Sequence, residues 1–175
     1  MMRLFTSILF LTGVLISSVA QAQSRPDLGL HKAAMEKLKF LTGKWRGDAI
    51  ITPGDGPNIK FSQTEEVQYK LDGTIMTIEG TGRDETGKTV FNAFAIVSYD
   101  PQRQAYRICA WNSGHYIESE LKVGDKTFEW GFQQGPLKSL SQMKVDADGN
   151  WSEASEVTLS DGRKLHSVTM LLKKQ

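Results

Sequence analysis

The chain contains a single cysteine, Cys109, among its 175 residues. One cysteine cannot form an internal disulfide, so we expect Cys109 to be an inert, buried thiol, with a reactive or intermolecular role as the alternative. The chain also lacks an excess of charge of one sign, because 21 Lys and Arg residues stand against 20 Asp and Glu residues. Proteins that bind nucleic acid or anionic membranes carry a basic excess or stripe, so neither partner is expected.

Clustered catalytic or metal-binding motifs are missing as well. The three histidines, His31, His115 and His166, show no paired spacing of the kind that metal ligands have. No Gly-x-Ser-x-Gly motif occurs, and no glycine-rich phosphate loop precedes a helix. We therefore predict no metal site and assign no catalytic residue.

Long apolar runs are absent except at the N-terminus. Leu4 to Val19 follows Arg3, is too short for a stable membrane span, and leads into Ala20-Gln21-Ala22. Small residues at the two positions read by signal peptidase predict a signal peptide over residues 1–22. We expect a periplasmic or secreted mature protein with no membrane insertion after cleavage. Residues 23–42 would form a polar tether and a short helix, and residues 43–175 the main domain.

From Gly43 to the end of the chain, the hydrophobic pattern has a period of two. Leu28 to Leu41, just before it, shows helical spacing instead. Turn signals divide the period-two region into ten strand-like runs, at residues 43–52, 60–71, 74–81, 90–99, 105–111, 115–122, 127–133, 137–145, 150–159 and 164–173. Short loops make consecutive strands antiparallel, and closure removes exposed edges. The prediction is an all-β, up-and-down antiparallel barrel of about ten strands with one short N-terminal helix, of the lipocalin-like kind. A sandwich or an open half-barrel is the alternative.

Alternation along the strands assigns the inward-facing side chains, which are mostly apolar with a few polar exceptions. A packed core rarely tolerates two carboxyl groups and two imidazoles, so we predict a cavity of mixed character. The alternative is that Glu65 and Glu153 lie near a barrel mouth, where water reaches them. The predicted ligand-binding residues are Phe61, Gln63, Glu65, Tyr69, His115, Trp130, Glu153, His166 and Met170.

Two further expectations follow from the strand pattern. A turn at Asp161-Gly162 pairs His166 with Val157 and Glu153 with Met170, which separates His166 from Glu153 by roughly 13 Å, too far to share a metal ion. The runs at residues 90–99 and 105–111 are apolar on both faces. Their outer surface is expected to be covered by the helix or by a second copy of the protein, as in a homodimer.

The opening Gly43-Lys44-Trp45-Arg46-Gly47, after a short helix, resembles the start of lipocalin-superfamily barrels. Together with Leu71-Asp72-Gly73-Thr74, Ser98-Tyr99-Asp100-Pro101 and Asp148-Gly149-Asn150-Trp151, the chain is similar to the bacterial family called domain of unknown function 1579. The resemblance covers Leu38 to Lys173 and implies a lipocalin-like barrel without an assigned activity. True lipocalins place a late arginine over the first-strand tryptophan, where this chain offers lysines, which stack less well.

The same opening also resembles nitrobindin-like barrels, which bind haem through a histidine on the last strand. That resemblance implies His166 as the haem ligand. The chain departs from their pattern at Ala49, where those proteins have a further glycine, and they are typically not exported.

The leading hypothesis is a non-enzymatic binding protein that holds a small, largely apolar molecule and needs no cofactor. Three alternatives remain open. They are a haem-binding barrel, an enzyme that uses Glu65 or His166 as an acid–base group, and a filled barrel that binds a partner protein.

Overall fold

The structure is a computed structural model and describes residues 28–175. The predicted signal peptide, residues 1–22, and the first part of the predicted tether lie outside the described residues. Between residues 28 and 175, no helix has both the length and the apolarity needed to cross a membrane.

One short helix and ten strands make up the described chain. Helix α1 spans Leu28–Glu36 and is followed by a 3-10 turn, Lys39–Leu41. The strands are β1 (Gly43–Pro53), β2 (Ile59–Lys70), β3 (Ile75–Arg83), β4 (Thr89–Asp100), β5 (Ala105–Asn112), β6 (His115–Gly124), β7 (Thr127–Gln134), β8 (Leu137–Val145), β9 (Asn150–Leu159) and β10 (Lys164–Lys174). Every predicted strand is confirmed, with ends that differ by at most two residues. The predicted helix over residues 28–41 is interrupted because the amides of Lys37 and Leu38 bond three residues back, to Ala34 and Met35.

The ten strands close into an antiparallel barrel. Each strand pairs with its neighbours in sequence, and β1 pairs with β10 to complete the ring. The predicted up-and-down barrel is therefore confirmed, and the sandwich and half-barrel alternatives are wrong. The register predicted from Asp161-Gly162 is also confirmed, since His166 lies opposite Val157 and Met170 opposite Glu153.

Helix α1 closes one end of the barrel. Met35 and Leu38 are fully buried and belong to the same apolar cluster as Met76 and Leu172 on the strands. The hydroxyl of Tyr69 on β2 donates a 2.7 Å hydrogen bond to the carbonyl of Met35. A tyrosine on β5 makes an equivalent 2.7 Å bond to the preceding carbonyl of the helix. These two bonds fix the end of α1 against two different walls of the barrel.

Trp45 anchors the closed end. Its indole Nε1 donates to the carbonyl of Leu41 at 2.7 Å, and its ring meets Trp151 edge-on at a centroid distance of 5.5 Å. The ammonium of Lys174 lies 5.3 Å from the ring centroid of Trp45. Lys174 therefore takes the position over the first-strand tryptophan that an arginine occupies in true lipocalins, as a cation–π contact.

The outer face of β4–β6 carries exposed aromatic side chains. Phe94, Trp111 and Tyr116 form a row with ring-centroid distances of 6.2 and 5.2 Å, and each is at least 38% exposed. The apolar outer surface predicted for these strands is present, and its coverage by a second copy remains a prediction. Cys109 lies on this same face and is partly exposed, so the prediction of a buried thiol is wrong. Along β5, the side chain of Ala110 points into the barrel and that of Cys109 points outward.

Candidate functional site

The lumen, meaning the space enclosed by the inward-facing side chains of β1–β10, is closed at the α1 end and accessible at the other. Next to α1, Met76, Val97 and Leu172 are at most 1% exposed. Toward the opposite end, Ile117 and Val168 have the inward phase of their strands and are nevertheless partly exposed. We call that end the open end, because solvent reaches the lumen there.

Two polar side chains of β2 are buried inside this lumen. Alternation along β2 places Phe61, Gln63, Glu65 and Val67 inward, and all four are buried. The amide Nε2 of Gln63 donates a 2.7 Å hydrogen bond to Oε1 of Glu65. The amide oxygen of Gln63 accepts no hydrogen bond from residues 28–175, although the side chain is only 1% exposed. A buried acceptor without a donor is costly, so a donor brought to this oxygen would form a favourable hydrogen bond.

Two glycines of β3 provide the room for this pair. Gly80 lies opposite Glu65, and Gly82 lies opposite Gln63. A Cβ atom at Gly80 would lie 2.6 and 2.8 Å from the two carboxyl oxygens of Glu65. A Cβ atom at Gly82 would lie 2.5 Å from the ring of Phe61 and 2.8 Å from the amide oxygen of Gln63. We call the space over Gly80 and Gly82 the cradle. It was not predicted from the sequence, although Gly80-Thr81-Gly82 indicates it by placing two glycines on one strand face.

A second buried carboxyl group enters the lumen from β9. Glu153 accepts a 2.7 Å hydrogen bond from the hydroxyl of Ser141 on β8 and a 3.3 Å bond from the indole nitrogen of Trp151. Ser139 and Ser141 are both buried. These serines were not predicted as site residues either, although strict alternation along β8 placed them on the same face as Met143.

Burial perturbs both carboxyl groups. Loss of solvent raises the pKa of Glu65 to about 8, an effect that the hydrogen bond from Gln63 reduces and the charge of Glu153 increases. Burial likewise raises the pKa of Glu153, against the hydrogen bonds from Ser141 and Trp151. Within the described chain, neither carboxyl group forms an ion pair with a lysine, arginine or histidine. Glu65 is therefore mostly protonated at neutral pH.

The nine predicted ligand-binding residues divide into two groups. Six share the lumen, namely Phe61, Gln63, Glu65, Trp130, Glu153 and Met170. The other three lie apart from them. Tyr69 is at the closed end, bonded to α1, and His115 and His166 are exposed at the open end. Residues 28–175 contain no group of three or more His, Cys, Asp or Glu side chains arranged to hold a metal ion.

A groove of about 750 Å³ also lies across β6–β10, lined by outward side chains such as Lys122 and Glu129 and also by Glu153 and Met170 of the lumen. Its polar side chains satisfy one another, since Glu129 accepts 2.8 Å hydrogen bonds from both Lys122 and Gln142. The groove is therefore a weaker candidate than the lumen, where a buried acceptor has no donor.

No family model and no curated protein matches the chain. Solved structures that share its fold include the following three. Rv2717c from M. tuberculosis is 11% identical with a TM-score of 0.63, over 81% of this chain and 97% of that one. The S-type phycobiliprotein lyase CPES from Guillardia theta is 9% identical with a TM-score of 0.59, over 86% and 98%. A DUF3598-family protein of unknown function from Nostoc punctiforme is 12% identical with a TM-score of 0.56, over 79% of this chain and about half (49%) of that one.

Identities this low show the fold alone. The resemblance to family 1579 stays a prediction, and the comparisons agree with the geometry in giving this chain a lipocalin-like barrel.

Proposed function

We propose that this protein binds a small, largely apolar molecule in its lumen and admits it through the open end. The observation that carries the proposal is a lumen sealed by α1 at one end only, in which the amide oxygen of Gln63 is buried without a donor. Small-molecule sites are typically concave, mostly apolar, and supplied with a few convergent polar groups. One neighbour in fold is named a phycobiliprotein lyase, which is consistent with a ligand-binding barrel.

Useful affinity requires only a few hundred Å² of apolar contact in the lumen. Phe61, Trp130 and Met170 line it, and Phe61 stacks on Phe91 at a centroid distance of 6.3 Å. Burying about 400 Å² of apolar surface contributes about 10 kcal/mol. Association costs of about 4 kcal/mol or more leave a Kd of tens of micromolar at best from apolar contacts alone. Polar contacts with the buried amide and carboxyl groups would add specificity.

The test uses two adjacent residues of β10 whose side chains point to opposite sides of the barrel wall. Val168 faces the lumen and is partly exposed, whereas Thr169 faces outward and is exposed. We expect N-phenyl-1-naphthylamine, a neutral apolar dye, to fluoresce on binding the wild type and Thr169→Trp. Val168→Trp should abolish the signal, because the indole would occupy the path from the open end. Equal binding by both variants, or no binding by the wild type, would contradict the proposal.

A second candidate ligand is haem. His166 has the inward phase of β10 at the open end, beside Val157 and Val168, and its imidazole is exposed. These surroundings fit a flat apolar group that enters the open end, and the imidazole would supply a nitrogen ligand to its iron. Titration with haem should then give a Soret band that His166→Ala removes and His115→Ala retains. Identical spectra for the two variants would exclude His166 as the ligand.

Acid–base catalysis in the lumen is a third candidate, because the raised pKa of Glu65 suits a proton donor near neutral pH. An activity of this kind should fall at least a hundredfold in Glu65→Gln and persist in Glu79→Gln, which removes an exposed carboxyl group.

We also propose that the chain is exported, on the basis of the signal-like residues 1–22. When the full chain is expressed, the protein should be recovered from the periplasm or the medium after cleavage between Ala22 and Gln23. Deletion of residues 2–22 should retain the protein in the cytoplasm.

A further inference from the structure

We propose that the lumen binds an organic cation, a protonated amine with an apolar body. This inference rests on the proposed function and names the chemical class of its ligand. Several polar groups converge inside the barrel. Gln63, Glu65 and Glu153 present oxygen acceptors there, and nothing in residues 28–175 donates to the amide oxygen of Gln63.

When Glu65 is ionised, the hydrogen bonds within the lumen leave acceptors in excess of donors. The amide nitrogen of Gln63 donates to Oε1 of Glu65 and, at 3.5 Å, to the backbone carbonyl of Thr64. The donors on the opposite wall, from Ser141 and Trp151, are used on Glu153. An ammonium group carries three N–H donors and no acceptor, so it complements both the amide oxygen of Gln63 and a carboxylate at Glu65.

The charges lead to the same ligand class. Two carboxyl groups share the lumen, and no basic side chain of the described chain forms an ion pair with either of them. A carboxylate ligand would bring a third acid into a poorly solvated space, where it would have no positive partner. A neutral alcohol would satisfy Gln63 and leave Glu65 protonated, without the ion pair that an ammonium group would form with the carboxylate. An amine should therefore bind more tightly than the matching alcohol, and the alcohol more tightly than the matching carboxylate.

The cradle makes room for the carboxyl group of Glu65 itself. Its carboxyl group lies directly against the backbone of Gly80, without a side chain on that side. Trp45 is its neighbour on β1, and Glu153 is the charged group that acts on it across the lumen. The ammonium of Lys174 lies over the ring of Trp45 and leaves Glu65 without a cation.

Binding should be linked to proton release. Glu65 is mostly protonated below pH 8, and an ammonium group favours the ionised form. Amine affinity should therefore increase as the pH rises toward 8 and decrease again above the pKa of the amine itself. The affinity for the matching alcohol should lack this increase.

The experiment uses two sets of ligands, each with one apolar body and three head groups. They are decylamine, decanol and decanoate, and 2-naphthylmethylamine, 2-naphthylmethanol and 2-naphthoate. Calorimetric titration of the full-length folded protein at pH 7 should show each amine binding at least about tenfold more tightly than its alcohol, since a charge-assisted hydrogen bond is worth that factor or more.

Variants locate the effect at the buried carboxyl groups. Glu65→Gln, which keeps the size of the protonated acid, should reduce the amine-to-alcohol ratio about tenfold. Glu79→Gln removes the same charge from the exposed outer face of β3 and should leave the ratio unchanged. Glu153→Gln, together with the pH profile of the wild type, tests the inference independently if Glu65→Gln folds poorly.

Each outcome has a distinct meaning. Equal binding of amine and alcohol, or tighter binding of the carboxylate, overturns the amine inference and leaves the apolar-ligand proposal intact. Absence of binding by all six compounds overturns both. An amine preference that survives in Glu65→Gln and in Glu153→Gln also overturns the inference, because the cation would then be bound elsewhere.

Discussion

Replacing Glu65 with glutamine should remove a large pH dependence from the stability of the barrel. The carboxyl group is 6% exposed and accepts a hydrogen bond from Gln63, without a basic partner among residues 28–175. Burial raises its pKa from 4.5 to about 8 in the folded protein. Glutamine has the same shape as the protonated acid and accepts the same hydrogen bond, but it cannot ionise.

The direction of the effect follows from proton linkage. Between pH 4.5 and pH 8, the folded protein retains the proton of Glu65, while the unfolded chain has released it. Stability must therefore decrease as the pH rises through this window. A difference of this size in pKa corresponds to a loss of about 5 kcal/mol across the window, at about 1.4 kcal/mol per pH unit. That loss is a large fraction of the 5–15 kcal/mol that stabilises a typical domain.

Urea unfolding followed by circular dichroism at pH 5, 6, 7 and 8 measures the effect. We expect Glu65→Gln to match the wild type within about 1 kcal/mol at pH 5 and to exceed its stability by several kcal/mol at pH 8. Glu79→Gln, on the exposed outer face, should follow the wild type at every pH. Parallel profiles for the wild type and Glu65→Gln would refute the assignment of a raised pKa to this buried carboxyl group. A residual slope in Glu65→Gln is expected from Glu153, whose pKa is also raised by burial.

Three further substitutions test the contacts that hold the barrel together. Gly47→Ala would place a Cβ atom 2.0 Å from the carbonyl oxygen of Leu171 and force β1 and β10 apart. Urea unfolding should therefore show a free energy of unfolding lower by about 3 kcal/mol, and near-wild-type stability would contradict this. Tyr69→Phe removes a hydrogen bond to α1, so the free energy of unfolding should fall by about 1 kcal/mol, and no change would mean that the bond contributes nothing. Lys174→Met removes the cation over Trp45 and should lower the thermal midpoint by a few degrees, equivalent to about 0.5–1 kcal/mol, whereas Lys174→Arg should retain it.

The fold followed from local patterns that act independently along the chain. Turn residues such as Asp161-Gly162 and Asp148-Gly149 separated the strands, and a period of two assigned their faces. Because a hairpin turn determines the register of the two strands that it joins, the pairing of Glu153 with Met170 could be predicted from the turn residues alone. Closure followed as the arrangement that leaves no strand edge unpaired.

The face of a residue was easier to predict than its depth along the barrel. Tyr69, His115 and His166 have the inward phase of their strands, as predicted, but they lie at the two ends rather than among the lumen residues. Alternation reports a side chain's direction and says nothing about its distance from the ends. Depth depends on strand tilt and stagger, which are properties of the closed barrel as a whole.

The sequence by itself determined the ten strands, their order, their register at the tight turns, and the inward direction of Gln63, Glu65 and Glu153. These properties depend on residues that are close together in the sequence, so the sequence alone is enough to predict them. Only the tertiary structure decided that α1 seals one end, that Gly80 and Gly82 make room for the Gln63–Glu65 pair, and that Lys174 lies over Trp45. Each of these contacts joins residues that are distant in sequence, and they become neighbours only when the strands pair and the barrel closes through β1 and β10.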